Sequence, residues 1–180
     1  MTTIYTIGHS TRSIDEFIDL LHQHQITQLV DIRTIPKSRH NPQFGEDELP
    51  KSLKGAGIEY VYLKALGGLR SGKKDSINDA WRNASFRHYA DYMQTDDFVS
   101  GIDQLIKLAE VEVTAIMCAE AVPWRCHRSL VSDALLVRGI PSIEIISATS
   151  ERPHKMTSFA VVDGLKITYP ASALDTKESP

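Results

Sequence analysis

The chain has 180 residues, 42% hydrophobic and 24% charged, with 20 Lys+Arg against 23 Asp+Glu for a net charge of −3. That size and balance fit one globular domain that buries its core without disulfide or metal staples, and they exclude whole-chain disorder, collagen and coiled coil. The two cysteines are too few for a disulfide scaffold, no charged n-region precedes an apolar stretch, and no run reaches the ~18–20 apolar residues of a membrane span, so the expectation is a soluble, cytoplasmic protein with reduced thiols.

Residues 3–7 (TIYTI) are β-rich and end in Gly8-His9-Ser10. Ser13 and Glu16 make an S-x-x-E capping box, and Ile14, Phe17, Ile18 and Leu21 recur on one helical face behind it. A short apolar strand at 28–32 (QLVDI) runs into a polar segment where Pro36 and Pro42 break any helix. A short helix is expected at 46–54, closed by Gly55, and an alternating strand at 58–63 leads to Gly67-Gly68. Helices are predicted at 78–93, with Trp81, Phe86, Tyr89 and Tyr92 as anchors, and at 97–109, with Asp96 or Asp97 as N-cap. The unbroken apolar run 113–117 (VTAIM) reads as a strand covered on both faces. A helix over 126–138 stops at Gly139 and Pro141, and 143–146 is another strand. Residues 159–168 read as a hairpin turning at Asp163-Gly164 in type I′ geometry, and 171–180 as a frayed tail. Strands alternating with helices predict a single three-layer α/β domain over 1–170, with a mainly parallel sheet and a C-terminal β-hairpin adding antiparallel edge strands.

Ligands of such sheets bind beyond the carboxyl ends of the strands. Four strand ends carry unusual loops: Gly8-His9-Ser10; Asp31-Ile32-Arg33 with Pro36-Lys37-Ser38-Arg39; Leu66-Gly67-Gly68-Leu69-Arg70; and Cys118-Ala119-Glu120 through Arg125-Cys126-His127-Arg128. Each loop alone is ordinary polar surface. Together, on one edge of a parallel sheet, they predict a shared site. These same residues resemble the domain-of-unknown-function 488 family, over nearly the whole chain. The resemblance implies a small α/β domain with one shared site and brings no reaction with it.

The chemistry has to come from the residues. Cys126 is expected near a helix start between Arg125 and Arg128, where a thiolate is favoured; Cys118 emerges from a buried strand, as a small core hydrophobe does. A disulfide between them is disfavoured in a reducing compartment. Cys118, Cys126 and His127, with His9 as a fourth, could ligate a metal ion, but C-x7-C-H is not a usual zinc spacing, so no metal or other cofactor is assigned. Six residues separate Cys118 from Arg125, and Pro123 lacks an N–H, which argues against a phosphatase-type anion loop. Glu120 can serve as a general base or orient an imidazole, or it can pair with Arg125 or Arg128.

The arginines are more persuasive. Arg33, Arg39, Arg70 and Arg128 supply forks suited to phosphate or carboxylate, Ser10 and Ser38 add hydroxyls, and Gly67 and Gly68 let backbone approach an anion. Segments 33–54 and 64–87 are net basic and 91–112 is net acidic, so a nearly neutral total hides two unlike sides. The leading expectation is an enzyme, a hydrolase or transferase, with an anion crevice for a phosphate-containing ligand or nucleic-acid end. Its chemical candidates are Cys118, Glu120, Cys126, His127 and His9. The alternatives are a non-catalytic nucleic-acid-binding module and a metal or redox sensor built on the Cys-His cluster. Oligomeric state and substrate are not legible in the residues, and no membrane partner is expected.

Overall fold

The fold, a computed structural model describing residues 2–177, is organised by the buried strand β4 (Thr114–Cys118). All five of its residues are buried, which explains its lack of polar alternation. Ala115 and Met117 face one apolar cluster and Ile116 the other, as a period of two requires. Around β4 lie β1 (Ile4–Gly8), β2 (Gln28–Asp31), β3 (Glu59–Tyr62) and β5 (Ser142–Ser147), all parallel. With the antiparallel edge strand β6 (Ser150–Pro153), they form a sheet of order β3-β2-β4-β1-β5-β6.

Helices cover both faces. On one, Phe17, Leu20 and Leu21 of α1 (Ile14–Gln23) and Leu49 and Leu53 of α2 (Leu49–Gly55) pack in the cluster of Ile7, Leu29 and Met117. On the other, α3 (Ala84–Tyr92), α4 (Asp96–Val111) and α5 (Arg128–Leu136) bring Tyr89, Ile102, Leu105 and Leu130 into the cluster of Ile4, Val30, Ile32 and Ile116. Each fully buried side chain of this kind contributes roughly 1.5–3 kcal/mol. The three-layer α/β expectation is met.

Several boundaries differ from the sequence expectation. Ser13 Oγ accepts from Glu16 N at 3.1 Å, as the capping box predicts. The α4 cap, however, is Thr95, whose hydroxyl accepts from Phe98 N at 3.3 Å; this leaves Asp96 and Asp97 in the first turn, where the helix dipole favours them. Helix α3 starts at Ala84 rather than 78, because Asn83 caps it and Asn78 is committed to Asp91 and to the backbone N–H of Tyr169. Helix α5 starts at Arg128 rather than 126, because a 3₁₀ turn at Pro123–Arg125 delivers Cys126 in extended conformation.

The hairpin β7 (Val161–Asp163) and β8 (Lys166–Thr168) is present, but it forms its own two-stranded sheet; β6 is the antiparallel edge of the main one. Asp163 pairs with Lys166, so the turn is Gly164-Leu165. Gly164 has φ 64° and Leu165 is not among the positive-φ residues, the type II′ rather than the type I′ pattern. Ser172–Lys177 of the expected tail is a short helix, α6, and 178–180 lie outside the described residues. No helix among the described residues is long and apolar enough to cross a membrane.

Candidate functional site

Strands β1 and β4 are neighbours, yet the chain leaves β1 toward α1 on one face and leaves β4 toward α5 on the other. That divergence is a topological switch point, the usual place for a crevice in an open parallel sheet. The two exits stay paired just past the strands: His9 N donates to Cys118 O and Ser10 N to Ala119 O, both at 2.9 Å. Gly8 is obligatory here, since a Cβ would collide with the backbone carbonyl of Glu120.

Beyond the ends of β2, β3 and β4 lies a cavity of about 480 Å³, offset from the switch point in that its described lining includes no residue of the β1 loop; its size is within the usual range for small-ligand sites. Its wall draws on the predicted loops through Arg33, Gly68, Cys118, Glu120, Cys126 and His127. Lys37 and Arg125 of the same loops line it too, and it also takes in Thr34 and, from the start of α3, Asn83, Ser85 and Phe86. The last three were invisible to a reading that ran the helix from 78. An Asn before the apolar run of α3 was the available signal for its true start.

Arg33 anchors the β2 side. Its Nε and Nη2 donate to Asp31 Oδ1 and Oδ2 at 2.9 and 2.7 Å, a bidentate pair. Tyr60 OH adds a 2.5 Å bond to Asp31 Oδ2, and Arg33 N donates to Oδ1. Burial pulls the Arg33 pKa down, but the bonds and charge of Asp31 outweigh it and hold the guanidinium charged. The third nitrogen, Nη1, is buried without a partner among the described residues. Arg33 is 6% exposed and borders the cavity.

His127 forms the opposite wall. Its Nε2 lies 2.9 Å from Ile32 O, an arrangement that requires the proton on Nε2 and leaves Nδ1 as an acceptor. Nδ1 is 3.5 Å from Cys126 Sγ. Burial, reinforced by the charge of Arg128, lowers the imidazole pKa to about 4, so it is neutral near physiological pH. Gly68 makes room for this ring: a Cβ there would come within 2.5 Å of Nδ1. Gly67 likewise yields to Thr34, whose hydroxyl accepts from Leu69 N at 2.7 Å. The two glycines therefore serve side-chain packing.

The cysteines depart from expectation. Cys118 and Cys126 are paired as a disulfide, where reduced thiols were expected. The 3₁₀ turn after β4 folds the chain back and brings the two sulfurs together, a proximity that the redox state of a compartment does not determine. Cys126 lies two residues before α5 and takes a 3.4 Å bond from Arg128 N. No group of three or more His, Cys, Asp or Glu among the described residues is placed to hold a metal ion.

Other predicted residues stand apart from the cavity. Arg128 is fully buried; it donates to Cys118 Sγ at 3.1 Å, to Thr6 Oγ1 at 3.3 Å and to the carbonyl of Glu120 at 2.8 Å. Burial lowers its pKa to about 10, which leaves it charged. Arg70 braces its own loop, donating to Gly67 O and Lys64 O and lying 3.8 Å over the Tyr92 ring. Arg39 is exposed, and Ser38 caps Asn41 N at 3.1 Å. His9 is 2% exposed, stacks on Phe44 and gives Nδ1–H to Ser10 O at 2.8 Å; its Nε2 is buried without a partner among the described residues. Burial holds the His9 pKa below its ordinary value. Ser10 sits at the turn with φ 49°.

Comparisons with curated proteins and with solved structures find no match. A family model described as "Domain of unknown function DUF488" matches residues 13–135, a span that holds β2, β3, β4 and three of the four loops. With most of the chain covered, and the crevice within that span, the protein belongs to the domain-of-unknown-function 488 family.

Proposed function

We propose that the crevice beyond the ends of β2, β3 and β4 binds a phosphate-bearing ligand and that the protein is an enzyme acting on it. Arg33 Nη1 carries this reading: it is a charged N–H donor, buried, without a partner among the described residues, on a residue that lines an open cavity. Buried donors are nearly always satisfied, and leaving one open costs about 1–3 kcal/mol, more when the group is charged. A phosphate oxygen satisfies it while Lys37 and Arg125, both exposed on the same wall, supply charge. Neutral His127 and the exposed carboxylate of Glu120 suit the proton transfers of a hydrolase or transferase. A single-stranded nucleic-acid end is the second reading. It is favoured by Trp124, 55% exposed beside Arg125, with the Arg152 guanidinium 4.7 Å over its ring. On both readings the protein works in the cytoplasm, where phosphate-bearing ligands and nucleic acids are at hand.

Calorimetric titration with pyrophosphate and nucleoside monophosphates tests the reading. Arg33→Gln also breaks the Asp31 pair, so the cleaner variant is Lys37→Ala/Arg125→Ala, which touches only exposed side chains. Its affinity is expected to fall at least ~tenfold, about 1.4 kcal/mol, with an unchanged melting temperature. Equal affinity in wild type and double variant, or no binding of any phosphate ligand by the wild type, overturns the assignment. Affinity for a single strand that falls steeply with salt selects the nucleic-acid reading.

A further inference from the structure

Arg128 is the largest fully buried side chain, and it forms no ion pair among the described residues. Its guanidinium hydrogen bonds go to two carbonyls, a threonine hydroxyl and Cys118 Sγ. Glu144 and Glu120 act on it only through space. A buried cation calls for a nearby anion. Among the atoms it touches, the Cys118 sulfur is the one that can become anionic at neutral pH, by losing its thiol proton. The second sulfur, Cys126, has the opposite kind of neighbour. Neutral His127 presents an Nδ1 lone pair to it at 3.5 Å, with the ring fixed by Ile32 O. One thiol therefore has a permanent positive charge and the other a base, their sulfurs meet, and both border the open cavity.

We propose that Cys118 and Cys126 form a reversible dithiol–disulfide couple that exchanges with a low-molecular-weight disulfide entering through the crevice. The couple needs only access to the sulfurs, so it stands or falls independently of the phosphate reading.

Cys126 gives its proton to His127 Nδ1, and its thiolate attacks one sulfur of the small disulfide. A mixed disulfide forms on Cys126, the incoming S–S bond breaks, and the departing thiolate takes the proton from His127. The Cys118 thiolate then attacks Cys126 Sγ, forming the internal bond and releasing the second small thiolate. That thiolate is protonated by solvent, which took up the Cys118 proton. Two protein thiols are oxidised and one disulfide is reduced to two thiols. Closing the internal bond removes the negative charge beside Arg128, so the buried guanidinium favours the dithiol form and makes the couple readily reducible.

The test equilibrates the full-length protein with defined ratios of reduced and oxidised glutathione, quenches it with acid, and reads free thiols and intact mass. Wild type is expected to interconvert reversibly between the dithiol and a form lighter by two hydrogens, without unfolding. Cys118→Ser is expected to trap glutathione on Cys126. Arg128→Met should shift the equilibrium at least ~tenfold toward the disulfide, equivalent to about 30 mV for this two-electron couple, whereas Arg128→Lys, which keeps the charge, should shift it less. His127→Gln should slow exchange at neutral pH and leave the equilibrium in place. If Arg128→Met fails to fold, the Lys variant and the Cys118→Ser trap still decide. Two thiols that stay free at every glutathione ratio overturn the proposal. So does an internal bond that glutathione cannot reopen in the folded protein. Phosphate binding measured on the same samples separates this failure from failure of the ligand assignment.

Discussion

The network around His154 and the crevice around Arg33 both place charge inside the protein, and they complete it differently. His154 gives Nε2 to Asp133 Oδ1 at 2.7 Å and Nδ1 to Glu144 Oε1 at 3.0 Å. Asp133 also accepts from Tyr169 OH at 2.8 Å and Thr157 N at 3.1 Å, and Glu144 accepts from Arg152 Nε at 2.6 Å. The set closes on itself and ties α5, β5, β6 and the end of β8 together. Around Arg33, Asp31 is saturated with donors, yet Arg33 Nη1 is left over among the described residues. Buried polar groups are satisfied as a rule, so a closed network holds the fold and an open one has capacity to bind. Neutral Trp81 Nε1, Ser132 Oγ and Ser142 Oγ are also buried without a partner among the described residues, so neither buried charge nor a spare valence alone distinguishes a site from a strut; a spare valence on a charged group at a cavity wall does.

The largest expected effect strikes the closed network. Asp133→Ala strips partners from His154, Tyr169 and Thr157 at once and leaves His154 bonded to Glu144 alone. Removing one partner from a buried ionic set costs roughly 3–5 kcal/mol. Urea denaturation should show a loss of this size, while Arg125→Ala should change stability by less than about 0.5 kcal/mol. An Asp133 variant as stable as wild type would contradict the view of the network as a strut.

A second effect separates the regions by pH. The carboxylates of Asp133 and Glu144 overcome burial and raise the His154 pKa from 6.5 to about 9. A raised histidine favours folding fully below 6.5 and loses that contribution as pH rises through 9, a loss of roughly 3 kcal/mol. His127 runs the other way. Burial depresses its pKa to about 4, so the crevice wall is stable with a neutral ring and weakens as pH falls from 6.5 through 4. Urea midpoints across this range should decline at both ends. His154→Asn should flatten the alkaline limb and leave the acid limb in place. An alkaline limb unchanged in that variant would assign it to another group.

How much of this was legible follows from range. The five parallel strands and the capping box of α1 are local patterns, and they read correctly; the polar edge strand β6 carries no such pattern and was missed. That four loops leave one sheet edge was also legible, because parallel strands alternating with helices place their carboxyl ends there; that the β1 loop does not line the cavity was not. Which arginine does what was not. Arg33, Arg70 and Arg128 look equivalent as residues in polar loops, yet one is pinned to Asp31 with a nitrogen to spare, one braces its loop against Tyr92, and one is buried beside Cys118. Those fates depend on partners 2, 22 and 10 residues away, and the sequence does not say which neighbour a long side chain meets. His154 shows the same limit: its carboxylates come from α5 and β5, and nothing in its own segment announces them.

The smallest expected effect is the sharpest check on the comparison. Arg70 resembles a ligand-binding arginine in sequence, but its guanidinium is spent on Gly67 O, Lys64 O and the Tyr92 face. By the leftover-valence criterion it is a strut. Arg70→Ala should cost on the order of 1 kcal/mol through the lost cation–π and loop contacts. Phosphate affinity should stay within about twofold, because a side chain outside the cavity wall acts there only through a screened charge. A fall in affinity of about tenfold with little loss of stability would mean that Arg70 swings into the crevice when ligand arrives. Bonds made in the free protein would then not settle which arginines bind, and Arg39 and Arg128 would have to be tested on the same footing as Arg33.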